Sequence, residues 1–275
     1  MRSPPRPPTR SAARRAVGAA LAALLPAFVP LGPADAQLRS GFRSTAADRG
    51  DDSLTPFIPF GFSFDLRGGT YDGANACMNG YLLLVLPGDP NSCPYRGPGD
   101  RTTLSDLYAR FGTAVVGAFR DFTSGPDSAG RLAYGAGTVN GNQAFGFTWN
   151  GVYTYEPGPG DTVSVLTRVP NYLQVLFVSR AAQFGAGAFD IEYNYGALTT
   201  QGGIAGVADD GGFSGAAFTA AVDPRTGSRV VQCFRGGSLS SQGCAAGSVV
   251  PEPSTMVLTA AGVGLLAGFA RRRVA

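Results

Sequence analysis

The chain has 275 residues, with 19 acidic side chains, 22 basic side chains that are all arginine, and no histidine. The lack of histidine excludes Ser-His-Asp and Cys-His catalytic sites, an imidazole general base, and His-ligated zinc or iron. The lack of lysine excludes Schiff-base chemistry. Catalysis would have to depend on carboxylates or a tyrosine, and this argues against an enzyme.

The first 36 residues have the parts of a secretory signal peptide. Five arginines precede an apolar stretch at 16–31, and Ala34-Asp35-Ala36 places small residues where signal peptidase reads the chain. The sequence predicts cleavage before Gln37. Arg14-Arg15 also suggests a twin-arginine signal, but that signal's bulky apolar pair is missing, and this favours the general secretory route.

Residues 37–55 are polar and lack periodicity, so they are predicted to form a flexible leader. Beyond them the hydrophobic pattern is that of short β-strands. Alternating or continuously apolar segments occur at 60–65, 81–86, 144–149, 162–169, 172–178, 189–195 and 216–222. Pro170-Asn171 is a turn-type pair, so it predicts a hairpin between two of these segments.

Residues 102–111 are the one stretch with helical spacing, with Thr102 or Thr103 as the N-cap. The 40 glycines and 20 prolines supply turns between strands. The sequence therefore predicts an all-β fold, a β-sandwich-like antiparallel domain with one short helix, over residues 56–249.

The four cysteines form an even set in an exported chain, and this favours disulfides. Three pairings exist, and the local one, Cys77–Cys93 with Cys233–Cys244, is preferred because it closes two short loops rich in turn residues. A Cys₄ metal site is disfavoured, since 15 and 10 intervening residues do not match the C-x₂₋₄-C spacing.

Two carboxylate pairs are candidate sites. Asp209-Asp210 precedes two glycines and suggests part of a calcium loop, although tight-turn chemistry explains the same residues and no calcium-loop template fits. Asp190 and Glu192 alternate with apolar residues, so they are predicted to face solvent. A glycosidase would need these two carboxyl groups to face each other across a cleft, and the sequence does not show such an arrangement. The sequence thus assigns no catalytic, cofactor or metal residue.

Aromatic residues give a further hypothesis, because 10 tyrosines and 18 phenylalanines exceed what a small core needs. Flat rings stack on the faces of sugars. The candidates for such a glycan contact are Tyr153, Tyr155, Tyr193 and Tyr195. The alternative, that these are ordinary half-buried strand residues, is favoured.

Residues 250–275 combine three parts in a fixed order: Pro251-Glu252-Pro253, an uncharged run at 254–270, and three arginines at 271–273. The prolines keep the tripeptide extended, the run is nearly long enough to span a bilayer as a transmembrane helix, and the arginines favour the cytoplasmic side. An ordinary membrane anchor is the alternative. The order of parts resembles the PEP-CTERM sorting signal, which implies recognition and cleavage by an exosortase in the inner membrane.

Removal of both processed ends leaves residues 37–250 with 14 arginines and 17 acidic residues, a net charge near −3. The basic character of the precursor therefore belongs to its targeting segments. This argues against nucleic acid as a partner.

Several strand motifs are similar to the nidogen-like extracellular (NIDO) domain. The matching segments are Ile58 to Phe64 with its Phe-Gly-Phe, Asn79-Gly80-Tyr81-Leu82, Ala144 to Trp149, and Phe189 to Gly196 ending in Asn-Tyr-Gly. At 116–121, where the family has Trp-Ala-Asp-x-Asp, only Asp121 matches. The resemblance covers residues 56–222, and it implies matrix attachment and adhesion without catalytic residues.

The sequence thus predicts a secreted or surface-tethered protein with an adhesive or structural role in an exopolysaccharide matrix. Signal peptidase, an exosortase and, transiently, the inner membrane are its expected processing partners. A carbohydrate-binding module and a glycosidase that uses carboxylates alone are the two alternatives, distinguished by specific glycan affinity and by turnover.

Overall fold

The computed structural model describes residues 38–84, 93, 103–125, 130–157, 164–199, 204–209, 218–222, 226–241 and 244. The predicted signal peptide at 1–36 and the sorting segment at 250–275, with Pro251, Glu252 and Pro253, lie outside these residues. No helix among the described residues is long and apolar enough to cross a bilayer.

Strands dominate the described part of the chain. The fourteen strands are β1 (Thr45–Ala46), β2 (Ile58–Leu66), β3 (Gly69–Cys77), β4 (Tyr81–Leu83), β5 (Ala114–Phe119), β6 (Phe122–Thr123), β7 (Arg131–Val139), β8 (Asn142–Pro157), β9 (Ser164–Ser179), β10 (Phe189–Tyr195), β11 (Ile204–Asp209), β12 (Phe218–Val222), β13 (Arg229–Arg235) and β14 (Ser238–Ser240). The described helices are α1 (Leu104–Phe111), which confirms the helical spacing found in the sequence, and the single turn α2 (Ala181–Phe184).

Within the described residues the strands form two antiparallel sheets. The eight-stranded sheet has the order β1-β7-β8-β9-β10-β13-β14, with β6 paired beside β8, and the six-stranded sheet has the order β12-β11-β5-β4-β3-β2. Both sheets consist mainly of neighbours in sequence joined by antiparallel pairing, as the turn-rich sequence predicts. The all-β, sandwich-like architecture is therefore confirmed.

The main core lies between the two sheets. Phe60 and Phe64 of β2 enter it from one side and meet Phe177 of β9, with ring centroids 4.7 and 5.3 Å from that ring. Phe147 and Trp149 of β8 are fully buried there. The predicted alternation of large apolar residues along these strands is what places one face of each sheet in this core.

Helix α1 covers the outer face of the six-stranded sheet. Thr103 is its N-cap and forms a capping box with Asp106, which satisfies two backbone N–H groups that the helix itself leaves free. Leu104, Leu107 and Phe111 are the buried face of the helix. They pack on residues of β4 and β5, so this sheet is covered on both faces.

Residues 38–44 cover the outer face of the eight-stranded sheet and residues 45–46 join its edge as β1, which corrects the prediction of a flexible leader. Phe42 is buried against Leu176 and Val178 of β9, and β1 pairs with β7. At Gly146 an added Cβ would lie 2.8 Å from the Cβ of Phe42. Because a bare backbone lets Phe42 approach so closely, a polar and aperiodic segment becomes part of the folded domain.

The hairpin predicted at Pro170-Asn171 is wrong, since β9 runs unbroken from Ser164 to Ser179 along β8. The pairing register shifts here: Val152 lies opposite Asn171, and Thr154 lies opposite Thr167. Pro170 therefore lies in a β-bulge, where its missing N–H costs no ladder bond. The Asn171 amide closes the bulge by donating to Val152 O and Val169 O.

Candidate functional site

A buried asparagine in the turn between β3 and β4 joins three separate segments of the chain. Asn79 is fully buried, and its Nδ2 donates to Asp52 Oδ1 at 2.7 Å and to Cys93 O at 3.3 Å. Its Oδ1 accepts from the backbone N–H of Phe122 at 2.9 Å. One side chain thus fixes the N-terminal segment, the first disulfide loop and the start of β6.

The surroundings of Asn79 explain why the Asn-Gly-Tyr motif has these residues in this order. Gly80 has φ +86°, and a Cβ there would lie 1.9 Å from Ala118 O, so only glycine fits. The indole N–H of Trp149 donates to Met78 O at 2.8 Å. Tyr81 is buried against Phe111 and Phe119. The motif is therefore a structural junction between the two sheets.

Three carboxylates meet beside this junction. The ligand atoms of Asp51, Asp52 and Asp121 all lie within 4.8 Å of one another, with Asp121 buried and the other two exposed. Partial burial, followed by the charge of Asp52, raises the pKa of Asp51. The cluster offers oxygen ligands of the kind that Ca²⁺ prefers. The earlier calcium candidate differs: Asp210 lies outside the described residues, and only the backbone of Asp209 is described.

Asp190 and Glu192 do not face solvent, contrary to the prediction from their alternation. They are 1 % and 4 % exposed, on the outer face of the eight-stranded sheet. Each lies between two arginines: Asp190 contacts Arg180 and Arg235, and Glu192 contacts Arg39 and Arg229. The prediction was wrong because the outer face is itself covered, so period-2 alternation no longer separates buried from exposed residues.

A hydrogen-bond network continues from Glu192 across the outer face of the eight-stranded sheet. Gln174 accepts from the backbone N–H of Arg39 at 3.0 Å, donates to Arg39 O at 3.0 Å, and accepts from Asn194 Nδ2 at 3.1 Å. Arg229 Nε donates to Asn194 Oδ1 at 2.7 Å. Burial lowers the pKa of the Arg229 guanidinium, and Glu192 opposes that shift. Because the charges are compensated, the network holds residues 38–39 on the sheet.

The four tyrosines proposed as a glycan platform are not brought together on an exposed surface. Tyr193 and Tyr195 are fully buried in the main core, where their hydroxyls donate to Gln232 Oε1 at 2.9 Å and to Gly117 O at 2.7 Å. Tyr153 and Tyr155 are half-buried on β8. Tyr193 and Tyr195 are therefore placed as ordinary core residues, the alternative that the sequence favoured, because β10 turns its aromatic residues toward the six-stranded sheet.

The described residues contain both disulfides of the preferred local pairing. Cys77 and Cys93 are joined with their Cα atoms 5.5 Å apart, and Cys233 and Cys244 with their Cα atoms 5.6 Å apart. The first lies beside Asn79, and the second ties residue 244 to β13. The pairing leaves none of the four cysteines as a thiolate ligand for a metal.

A protein-family model for the NIDO-related domain matches residues 28–188, which is more than half of the chain. The chain belongs to the NIDO-related family. A second family model, for the PEP-CTERM protein-sorting motif, matches residues 249–274. No curated protein and no solved structure matches this chain.

The two matches place this NIDO-related protein among exported, exosortase-targeted surface or secreted proteins. Its PEP-CTERM motif implies a membrane-anchored precursor that an exosortase processes on the way to the cell surface. Asn79, which lies in the resembling Asn-Gly-Tyr segment, falls inside the matched domain. The sequence around Asn79 carries the resemblance but no signal of its contacts, because its partners Asp52 and Cys93 lie 27 and 14 residues away.

Proposed function

We propose that this protein is a non-catalytic, adhesive or structural component of an exopolysaccharide-rich extracellular matrix. The observation that carries the proposal is the union, in one chain, of a NIDO-related domain at 28–188 and a PEP-CTERM motif at 249–274. The motif supplies delivery to the surface. The domain remains at the surface after processing and contacts the matrix.

The arrangement of carboxylates supports a role without turnover. A general acid or base must reach the substrate and exchange a proton with it. Asp190 and Glu192 are buried and compensated by arginines, so neither is free to do this. Burial also raises the pKa of the Tyr193 hydroxyl, so this group stays protonated.

Matrix retention tests the adhesive role. The protein exported by its native host should be recovered with the matrix fraction, and purified protein should bind extracted matrix weakly per site and more strongly when displayed in several copies. Since residues 37–250 carry a net charge near −3, binding should persist as salt rises. Recovery only in the soluble secreted fraction, with no binding to extracted matrix, would contradict the proposal.

Turnover tests the non-catalytic part separately. The exported protein should hydrolyse no polysaccharide, ester or peptide substrate. Turnover that is abolished by Asp121→Asn or by Glu192→Gln would replace the adhesive role with that of a glycosidase that uses carboxylates alone.

A further inference from the structure

A cavity of about 230 Å³ lies at the side of the β-sandwich, where the N-terminal segment crosses from one sheet to the other. Ala47 N donates to Leu132 O of β7 in the eight-stranded sheet, and Thr55 N donates to Ala76 O of β3 in the six-stranded sheet. Residues 46–48 and 53–56 line the cavity on one side, and Leu132 and Tyr134 line it on the other. The segment is held at both ends, so the cavity has fixed walls.

Tyr134 gives the cavity a rigid aromatic wall. Its ring centroid lies 6.4 Å from that of Phe145 and 6.2 Å from that of Phe147, and both of those rings are buried. The tyrosine itself is only half-buried. Core packing therefore fixes one side of the ring, while another part of the residue borders the cavity. The electron-rich face of such a ring is suited to the polarised C–H groups of a sugar.

Polar side chains line the same cavity as Tyr134. Among the described residues, the Asp48 carboxylate, the Ser53 hydroxyl and the Tyr134 hydroxyl make no hydrogen bond to the protein. The Thr55 hydroxyl accepts from Ala76 N at 2.8 Å and keeps its own proton free to donate. The residues that line the cavity thus include one carboxylate acceptor, three hydroxyls and one aromatic ring, the kinds of group that bind vicinal sugar hydroxyls.

Charge and size restrict the ligand. Asp48 is the one charged residue that lines the described cavity, and its carboxylate repels anions. The adjacent Arg49 points its Nη1 to Ser124 O and Gly130 O, both at 3.3 Å. The cavity volume, about 230 Å³, lies below the roughly 300–1,000 Å³ of pockets that enclose drug-sized ligands. An uncharged single sugar ring fits these limits, whereas a uronate or a sulfated sugar does not.

We propose that this cavity is a subsite for one uncharged hexose ring of a neutral glycan, with Tyr134 as the stacking surface and Asp48 as the main hydrogen-bond acceptor. The proposal rests on the matrix-binding function proposed above and names its ligand class and contact site. The sugar ring enters through the open side of the cavity, so the rest of the glycan continues into solvent.

Ligand-observed NMR with glucose, galactose and mannose disaccharides, and with glucuronate for comparison, tests the subsite on the exported protein. At least one neutral sugar should bind saturably, with a Kd on the order of 1 mM, as expected for a single ring in an open site. Tyr134→Ala should weaken this binding about tenfold or more, because the stacking surface is lost. Asp48→Asn should weaken it about threefold, and Asp72→Asn, an exposed control outside the cavity, should leave it unchanged.

Circular dichroism shows whether Tyr134→Ala remains folded, and if it does not, the Asp48→Asn result decides. No saturable neutral-sugar binding, stronger binding of glucuronate, or binding unaffected by both cavity variants would overturn the subsite. Retention of the protein by extracted matrix in that case would leave the proposed adhesive function intact. Loss of matrix retention as well would mark the failure of the proposed function itself.

Discussion

Asn79 holds together parts of the chain that have no local reason to meet. Its amide reaches Asp52, Cys93 and Phe122 from a fully buried position. Removal of one partner from a buried hydrogen bond leaves the other partner desolvated and unpaired, which costs more than the bond contributes.

We expect Asn79→Ala to lower the free energy of unfolding by about 2–3 kcal/mol, because it leaves the buried Phe122 N–H and Cys93 carbonyl without a side-chain partner. The matched control is Asn75→Ala, which removes one half-buried bond to Thr55 O and should cost about 1 kcal/mol. Urea unfolding followed by fluorescence of the single tryptophan, Trp149, measures both. Equal losses of unfolding free energy in the two variants would show that the three contacts of Asn79 stabilise the fold no more than one ordinary hydrogen bond does.

The acidic cluster gives a pH-dependent prediction. Partial burial and the charge of Asp52 raise the pKa of Asp51 in the folded protein, so ionised Asp51 disfavours folding. That penalty is absent below the pKa of the unfolded chain and grows as pH rises through the folded value. Asp51→Asn should therefore stabilise the protein at pH 7, by less than about 1 kcal/mol because much of the side chain still contacts solvent, which screens its charge, and the gain should disappear near pH 3.

Urea unfolding between pH 3 and pH 7 measures this difference, with Asp72→Asn as the control for removal of one exposed negative charge. A loss of stability in Asp51→Asn at pH 7 would contradict mutual repulsion within the cluster.

At the scale of elements, residues 38–47 behave as an added layer of the sandwich. Phe42 lies over the glycine-bearing face of the eight-stranded sheet, and Arg39 closes the charged network around Glu192. The segment is thus held on the sheet by the apolar contact of Phe42 and, three residues earlier, by the ion pair of Arg39. The polar outer face of β10 is thereby sealed from water.

Phe42→Ala should lower the free energy of unfolding by about 3–5 kcal/mol through loss of buried area and the cavity left behind. The segment should also loosen, so the Ala47 amide, which donates to Leu132 O at 2.9 Å, should exchange its hydrogen faster. Phe57→Ala is the control: that ring is 37 % exposed, and its removal should cost less than about 1 kcal/mol. Unchanged exchange at Ala47 in the Phe42 variant would mean that β1 alone holds the segment.

For the whole molecule, the predicted signal-peptide cleavage site lies directly before the folded domain. The predicted cleavage before Gln37 leaves one residue ahead of Leu38, which is buried, and two ahead of Arg39, which is bound to Glu192. Intact mass of protein from the native host should therefore show Gln37 as the first residue and no tail from Ser254 onward. Recovery of full-length chain with its arginine cluster, in a host that has an exosortase, would contradict exosortase processing.

Alternation along strands predicted which aromatic residues enter the core. Phe145, Phe147 and Trp149 share a buried face as their spacing indicates, and Phe189 and Ile191 do the same on β10. These predictions succeed because side-chain direction in a strand has a period of two residues regardless of what lies nearby. The helix at 104–111 was predictable for the same kind of reason, since its cap and apolar spacing are local.

The sequence by itself determined the all-β class, the short helix and the PEP-CTERM sorting motif, and it favoured the local disulfide pairing, because each of these patterns lies in residues close together along the chain. Only the tertiary structure decided whether Asp190, Glu192, Tyr193 and the segment 38–47 are buried. Each contacts residues that are distant in sequence: Arg39 binds Glu192 across 153 positions, Arg235 binds Asp190 across 45, and Tyr193 donates to Gln232 across 39. A local pattern shows which way a side chain points but not whether another part of the chain covers that face.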